Sequence, residues 1–251
     1  MSEETKVSKI KGDPREAALD DLFKNYEDET LNVIDLPSKG KFYPNFQGVE
    51  VMPLTYLDEQ KIINSRDGKA DLVSRLLEKS IKGVDVDNLL TMDKMFLLMK
   101  VREVSYGDSY DFRINCPSCK TEIKTSLNLS QHLNMTQVPD DLDDPRKITL
   151  PKLGVEVEVR FPRSKEEQFL GDYEMSFKNL YRFVVSINGN PDPVFISKAL
   201  KRMNIRDIKK IIMEVNKGDY GIDPRFIFEC PECNYEDTLS VPMDVTFFSV
   251  S

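Results

Sequence analysis

The chain has 251 residues, of which 40% are hydrophobic and 31% charged, and carries a net charge of −8. That length holds one large packed domain or two small ones, and that balance excludes a wholly disordered chain. The sequence has no apolar run of membrane-spanning length, no apolar leader in MSEETKVSKIKGDPREAALDD and no dense Lys/Arg stripe. It therefore predicts no membrane span, no nucleic-acid partner, and synthesis and residence in a cytoplasm.

Residues 1–30 read as a loosely held, charged tail with one short helix in it. Asp13 is placed to cap that helix and Pro14 to open it, with Ala17, Leu19, Leu22 and Phe23 on a weak apolar face. The segment is either a frayed end or a partner-binding element. From Leu31, LNVIDLPSKGKFYPNFQGVEVMPLT places turn residues between short apolar runs, as an extended segment followed by a β-hairpin does. YLDEQKIIN, DLVSRLLEKSI and NLLTMDKMFLLMKVREV then space their apolar residues three and four apart, as amphipathic helices do. SYGDSYDFRINCPSCKTEIKTSLNL alternates around a C-P-x-C turn and predicts a hairpin with the cysteines at its tip. The second half runs in the same order. ITLPKLGVEVEVRFP predicts a strand pair, and SKEEQFLGDYEMSFKNLYRFVVSI, PVFISKALKRMN and RDIKKIIMEVNKG predict helices. PRFIFECPECNYEDTLSVPM predicts a second hairpin with C-P-x-C at its tip.

The similarity survives direct comparison. At an offset of 114 residues Asp93 meets Asp207, Met99 meets Met213, Val101 meets Val215, and Tyr106–Gly107 meets Tyr220–Gly221. Phe112 meets Phe226, Cys116–Pro117 and Cys119 meet Cys230–Pro231 and Cys233, and Glu122 meets Glu236. The GVEV beginning at Gly48 matches that at Gly154 with an offset of 106. The expected fold is α+β, with two pseudo-repeated units, residues 31–135 and 145–251, each holding a small antiparallel sheet, helices and a CPxC hairpin.

Neither unit has four metal ligands, but together they do. Cys116, Cys119, Cys230 and Cys233 are the only cysteines, and in a reducing compartment paired C-x-x-C motifs read as metal ligands before disulfides. Four thiolates suit a structural zinc ion held in a tetrahedron, and the prolines favour a tight turn that aims both sulfurs of a pair at one point. Iron in a rubredoxin-like site takes the same ligand set. Such a closed site has no open position for water or substrate, so it stabilises and does not catalyse.

Other catalytic arrangements are missing. The only histidine, His132, reads as a surface or capping residue, and no phosphate-cradling glycine motif appears. The acidic runs Asp140–Asp141, Asp143–Asp144 and Glu166–Glu167 read as solvated loops. The chain is expected not to be an enzyme and to take no small-molecule substrate. In LPSKGKFYP, the cluster Lys39, Lys41, Phe42 and Tyr43 has two readings: a turn anchored on the core by its aromatics, or a partner-binding surface.

That opening, followed by VEVMPLTYLDE, by helices ending in VREVSYGDSYDFRINCPSC and by the second CPEC, resembles the baseplate hub subunits and hub assembly proteins of T4-type contractile-tailed bacteriophages. The resemblance runs from about Leu31 to the C-terminus. It implies protein–protein contacts with other hub or tail proteins, either as a virion component of the tail baseplate or as a chaperone-like factor in the host cytoplasm during assembly. It implies no catalytic residues. The competing reading is a zinc-ribbon nucleic-acid-binding or transcription-related protein. Lys120 and Lys124 beside the first knuckle suit it, whereas Glu229, Glu232, Glu236 and Asp237 around the second would repel phosphates.

Overall fold

Segments that alternate or carry β-branched residues form short strands, and segments with a 3.6-residue apolar period form helices, as expected from the residues. A computed structural model describes residues 13–24, 30–33, 35–64, 69–132, 134–169, 178–218, 220–242 and 245–248. Helix α1 (Pro14–Phe23) begins as the sequence predicts, with the Arg15 N–H donating to the Asp13 carboxylate at 2.9 Å. Its Leu19, Leu22 and Phe23 side chains are exposed. The rest of the expected tail, residues 1–12 and 25–29, lies outside the described residues.

Strands β1 (Leu31–Val33), β2 (Val49–Val51) and β3 (Ile81–Lys82) form an antiparallel sheet in that order, with Leu31 opposite Val51 and Val51 opposite Ile81. Helices α2 (Tyr56–Asn64) and α3 (Lys69–Ser80) lie between β2 and β3 in the chain, and α4 (Thr91–Tyr106) follows. The hairpin β4 (Ser109–Asn115) and β5 (Glu122–Asn128) comes next, then the short α5 (Leu129–His132) and β6 (Met135–Thr136). The side chain of His132 lies outside the described residues.

Strands β7 (Arg146–Thr149), β8 (Glu156–Val159) and β9 (Val184–Ile187) make a second antiparallel sheet with the same linear order. Ile148 lies opposite Val157, and Val157 opposite Ile187. Helices α6 (Pro193–Leu200) and α7 (Ile205–Val215) lead through β10 (Gly221–Ile222) to the hairpin β11 (Arg225–Glu229) and β12 (Glu236–Ser240). The fold is therefore α+β, built from small antiparallel sheets and helices.

The ends of one expected helical segment are corrected. Within 164–187, residues 170–177 lie outside the described residues and 178–179 are helical, whereas Ser164–Phe169 and Leu180–Phe183 form 3-10 turns and Val184–Ile187 forms strand β9. Val184, Val185 and Ile187 are β-branched, and they complete the sheet beside β8 instead of extending a helix. The same trade ends α3, whose expected last residue Ile81 begins β3.

The largest buried cluster joins the first sheet, α4 and both CPxC hairpins. Leu77, Leu97, Val101, Tyr110, Phe112, Phe226, Phe228 and Phe247 all belong to it. A second cluster, Leu150, Val157, Val159, Phe183, Ile187, Ile208, Ile211 and their neighbours, lies within the second half. Leu97 in α4 has no exposed surface. Leu97→Ala is expected to lower unfolding free energy by about 2–5 kcal/mol, through lost transfer energy and a residual cavity. Ile227→Ala, at an 83% exposed position in β11, is expected to stay within about 0.5 kcal/mol of the parent. Urea denaturation followed by circular dichroism measures both.

Candidate metal centre

Each CPxC knuckle is shaped by its hairpin before any ligand is considered. The β4–β5 ladder closes at Asn115 opposite Glu122, and β11–β12 closes at Glu229 opposite Glu236. Beyond those pairs the two turns repeat the same bonds. The Cys116 N–H donates to Thr121 O at 2.9 Å, and the Lys120 N–H to Cys116 O at 3.0 Å. The Cys230 N–H donates to Tyr235 O and the Asn234 N–H to Cys230 O, both at 2.9 Å. Lys120 and Asn234, each one residue past the second cysteine of its pair, adopt left-handed backbone with φ of 64° and 54°. For Lys120 this conformation costs roughly 1–2 kcal/mol, since only Gly and, to a lesser degree, Asn enter it readily.

The hairpins meet through their apolar sides. Phe112 and Phe226 stack edge-to-face with ring centroids 5.7 Å apart, and Ile114, Ile123, Tyr235 and Leu239 pack around them. That contact brings the four predicted ligands together. All four sulfurs lie within 4.8 Å of one another, with Cys116 Sγ 3.8 Å from Cys233 Sγ and Cys119 Sγ 3.7 Å from Cys230 Sγ. A disulfide needs about 2.05 Å, so these are free thiols. Four thiolates each about 2.3 Å from one ion would stand about 3.8 Å apart along the edges of a tetrahedron. The cluster is therefore compatible with a metal site, and its two cross-hairpin separations match tetrahedral edges. Cys116 and Cys230 are buried, while Cys119 and Cys233 face solvent. Hydrogen bonding to Thr121 holds the Cys119 thiol down to about 6, whereas burial pushes Cys230 up to about 11. A cation at the centre would favour the thiolate at every position.

The other predicted cluster lies elsewhere, on the seam between the two halves. Lys39 pairs with Asp140 at 2.5 Å. Lys41 Nζ donates to the carbonyls of Asp140 (2.8 Å) and Leu142 (2.7 Å) and to the Asp143 carboxylate (3.2 Å). Phe42 packs against Phe161 at 6.1 Å. The Tyr43 hydroxyl donates to Asp93 Oδ2 at 2.6 Å and accepts from the Leu90 N–H at 2.9 Å. All four side chains thus make contacts within the chain, as the anchored-turn reading expects.

Asp93, which has no exposed surface, also accepts from the Ser38 N–H at 2.9 Å. Burial raises its carboxyl above the usual range and raises the Tyr43 phenol as well. Sequence reasoning paired Asp93 with Asp207 but gave neither a role. The missed signal was an aspartate in the first turn of a strongly apolar helix.

The acidic runs expected to be solvated are partly structural, and this corrects the sequence reading. Asp144 is nearly buried, accepting from the Phe161 N–H and pairing with Arg163 at 2.5 Å. Glu166 forms a two-pronged pair with Arg160 at 2.6 and 2.7 Å, and Glu167 pairs with the buried Lys94 at 2.6 Å. Each of these carboxylates meets a cation, although at Asp144 burial still raises the carboxyl above its usual range, whereas at Glu166, despite burial, the Arg160 pair holds the carboxyl below it.

A family model described as T4 bacteriophage base plate protein matches residues 29–249. The chain belongs to that family. Its members' baseplate role is therefore this chain's class of role: a structural protein of a phage baseplate, located in the tail and in contact with other phage proteins. No curated protein and no solved structure matches the chain. Among the described residues no helix is long and apolar enough to cross a membrane.

Removing the Tyr43 hydroxyl leaves both the Asp93 carboxylate and the Leu90 N–H short of a partner. Tyr43→Phe is expected to cost about 1–3 kcal/mol in denaturant unfolding without changing metal content.

Proposed function

We propose that this protein is a hub-region component of the phage tail baseplate, in which a structural zinc ion clasps two duplicated halves and presents their outer surfaces to other tail proteins. The observation that carries this reading is the sulfur cluster: each hairpin contributes two cysteines, and the two separations across the hairpins, 3.8 and 3.7 Å, suit the edges of a tetrathiolate site. The closed ligand set leaves no coordination position for substrate, so the role is structural rather than enzymatic. The exposed acids Glu229, Glu232, Glu236 and Asp237 at the second tip disfavour the nucleic-acid reading.

The duplication is supported by bonds as well as letters. The Ser38 N–H donates to Asp93 Oδ1 at 2.9 Å, and 114 residues later the Lys152 N–H donates to Asp207 Oδ1 at 2.7 Å. Leu36–Pro37 and Gly40 recur at the same offset as Leu150–Pro151 and Gly154. Gly40 and Gly154 both have φ of +69°. Within the sheets, the pair Val51–Ile81 recurs as Val157–Ile187 at an offset of 106. The change of offset from 114 to 106 puts an eight-residue stretch, KFYPNFQG, after Gly40 in the first half, and the return to 114 puts eight extra residues between Ile187 and Asp207 in the second, where α6 lies.

Metal analysis by mass spectrometry of tag-free reduced protein is expected to find one zinc per chain. Any single Cys→Ser change, or a chelator, is expected to lower the melting temperature by several degrees, because metal binding energy is also folding energy. Acidification is expected to release the metal, since protons compete for thiolate. Metal-free protein with the parent melting temperature would overturn the clasp. Co-expression with the other hub and tail proteins followed by size exclusion tests the assembly role, and failure to co-elute with any of them would overturn that part.

A further inference from the structure

We propose that a groove beside Asp207 is a docking site for a tyrosine-bearing acidic segment of a partner protein, received as the first half receives its own Phe42–Phe46. The proposal rests on the duplication proposed above. In the first half, the extra stretch covers the helix start and the turn. Tyr43 bonds Asp93 and the Leu90 N–H. Phe46 lies on Gly40 so closely that a Cβ there would meet its ring at 2.0 Å.

The second half has the same glycine, the same aspartate and no such stretch after the glycine; its own extra residues, between Ile187 and Asp207, carry α6, whose Phe195 lines the space instead of filling it. A Cβ on Gly154 would meet nothing within 4 Å. Beside it opens a groove of about 480 Å³ whose lining includes Leu153, Phe195, Met203, Asn204 and Asp207. That volume is within the range of sites that take a drug-sized group, roughly 300–1,000 Å³. Asn204 and Asp207 stand where Leu90 and Asp93 stand in the first half, so the backbone N–H and the carboxylate that hold Tyr43 have counterparts here. Asp207 accepts from the Lys152 and Leu153 N–H groups, and an ionised carboxylate has capacity for a further donor.

Two further features fix the occupant's chemistry. Leu153 and Phe195 in the lining are 54% and 44% exposed, and their neighbours Val194 and Ile205 are exposed as well, an apolar concentration that asks for an apolar or aromatic cover. The rim carries Lys152 and Arg202, and among the described residues neither forms an ion pair, within a chain of net charge −8. A local basic rim on an acidic protein selects carboxylates flanking the aromatic group.

The probe is a labelled synthetic peptide carrying the Phe42–Phe46 sequence with two aspartates on each side, titrated into the full chain and followed by fluorescence anisotropy. Saturable binding is expected. Phe195→Glu and Arg202→Glu are each expected to weaken it about tenfold, Ile227→Ser to leave it unchanged, and a peptide with serine in place of its three aromatics not to bind. Both groove substitutions are at exposed positions, and unchanged melting temperatures confirm folding. No saturable binding, or binding indifferent to both groove substitutions, overturns the proposal. Two other outcomes also overturn it. If the peptide-free chain dimerises and Phe195→Glu abolishes the dimer, the occupant is a second copy. If deleting residues 1–29 raises peptide affinity about tenfold, the occupant is this chain's own acidic N-terminal segment. None of these results bears on metal content, so the zinc clasp stands or falls separately.

Discussion

Two pairs of thiols separated by 110 residues of chain converge to within 4.8 Å of one another, a constraint that both hairpins satisfy together. A knuckle alone cannot meet it, because a two-stranded hairpin is marginal in water without a face to pack on. Each hairpin gains that face from the other. The Phe112–Phe226 contact, with Ile114 and Ile123 on one side and Tyr235 and Leu239 on the other, brings the tips into register. Burying Cys116 and Cys230 beneath that contact has a consequence. Unpaired thiolates would be costly there, and the rise of Cys230 to about 11 expresses that cost. At Cys230 burial disfavours the thiolate unless a cation balances it.

The hairpins are then held from behind by a seam that the knuckles do not touch. Lys39 and Lys41 reach the 140–143 loop, the Ser164 N–H donates to Leu89 O at 2.8 Å, and Lys94 reaches Glu167. Strand β6, after the first hairpin, pairs with β10, before the second. The polypeptide thus crosses between halves at several levels, and the main buried cluster takes residues from both. The cysteine cluster sits at one end of a seam along which the two halves are already joined.

Much of this was legible in the residues, and the failures have physical causes. The helices with a clear 3.6-residue period, α2, α3, α4, α6 and α7, lie where their spacing puts them, and both CPxC hairpins follow from alternation about a Cys-Pro turn. Strands β3 and β9 were hidden because each is a few β-branched residues adjoining a helical stretch, too short to show a period of its own. The clustering of the four cysteines was legible because two C-x-x-C pairs in one chain suit a single shared site. The roles of Asp144 and Glu166 were not, since a carboxylate in a charged run looks solvated until the arginine that meets it is placed by tertiary structure. The LPSKG and LPKLG turns were overlooked because GVEV offered Gly154 a different partner, Gly48. Conformation separates the two: Gly48 has φ of +121°, whereas Gly40 and Gly154 share +69°.

Why an aspartate occupies the first turn of α4 in the core of an acidic protein follows from the groups around it. A leucine at Asp93 would avoid the desolvation that raises this carboxyl, yet it would strand the Ser38 N–H and the Tyr43 hydroxyl, each at roughly 1–3 kcal/mol. A carboxylate at a helix N-terminus is also favoured by the helix dipole, by about 0.3–1 kcal/mol. The aspartate therefore specifies which turn sits on the helix, and no apolar residue could do so, because apolar contact carries no direction. In the second half the same carboxylate holds its turn through the Lys152 and Leu153 N–H groups alone. The turn there is fixed without an aromatic cover, so the site can remain preorganised while the space above Gly154 stays open.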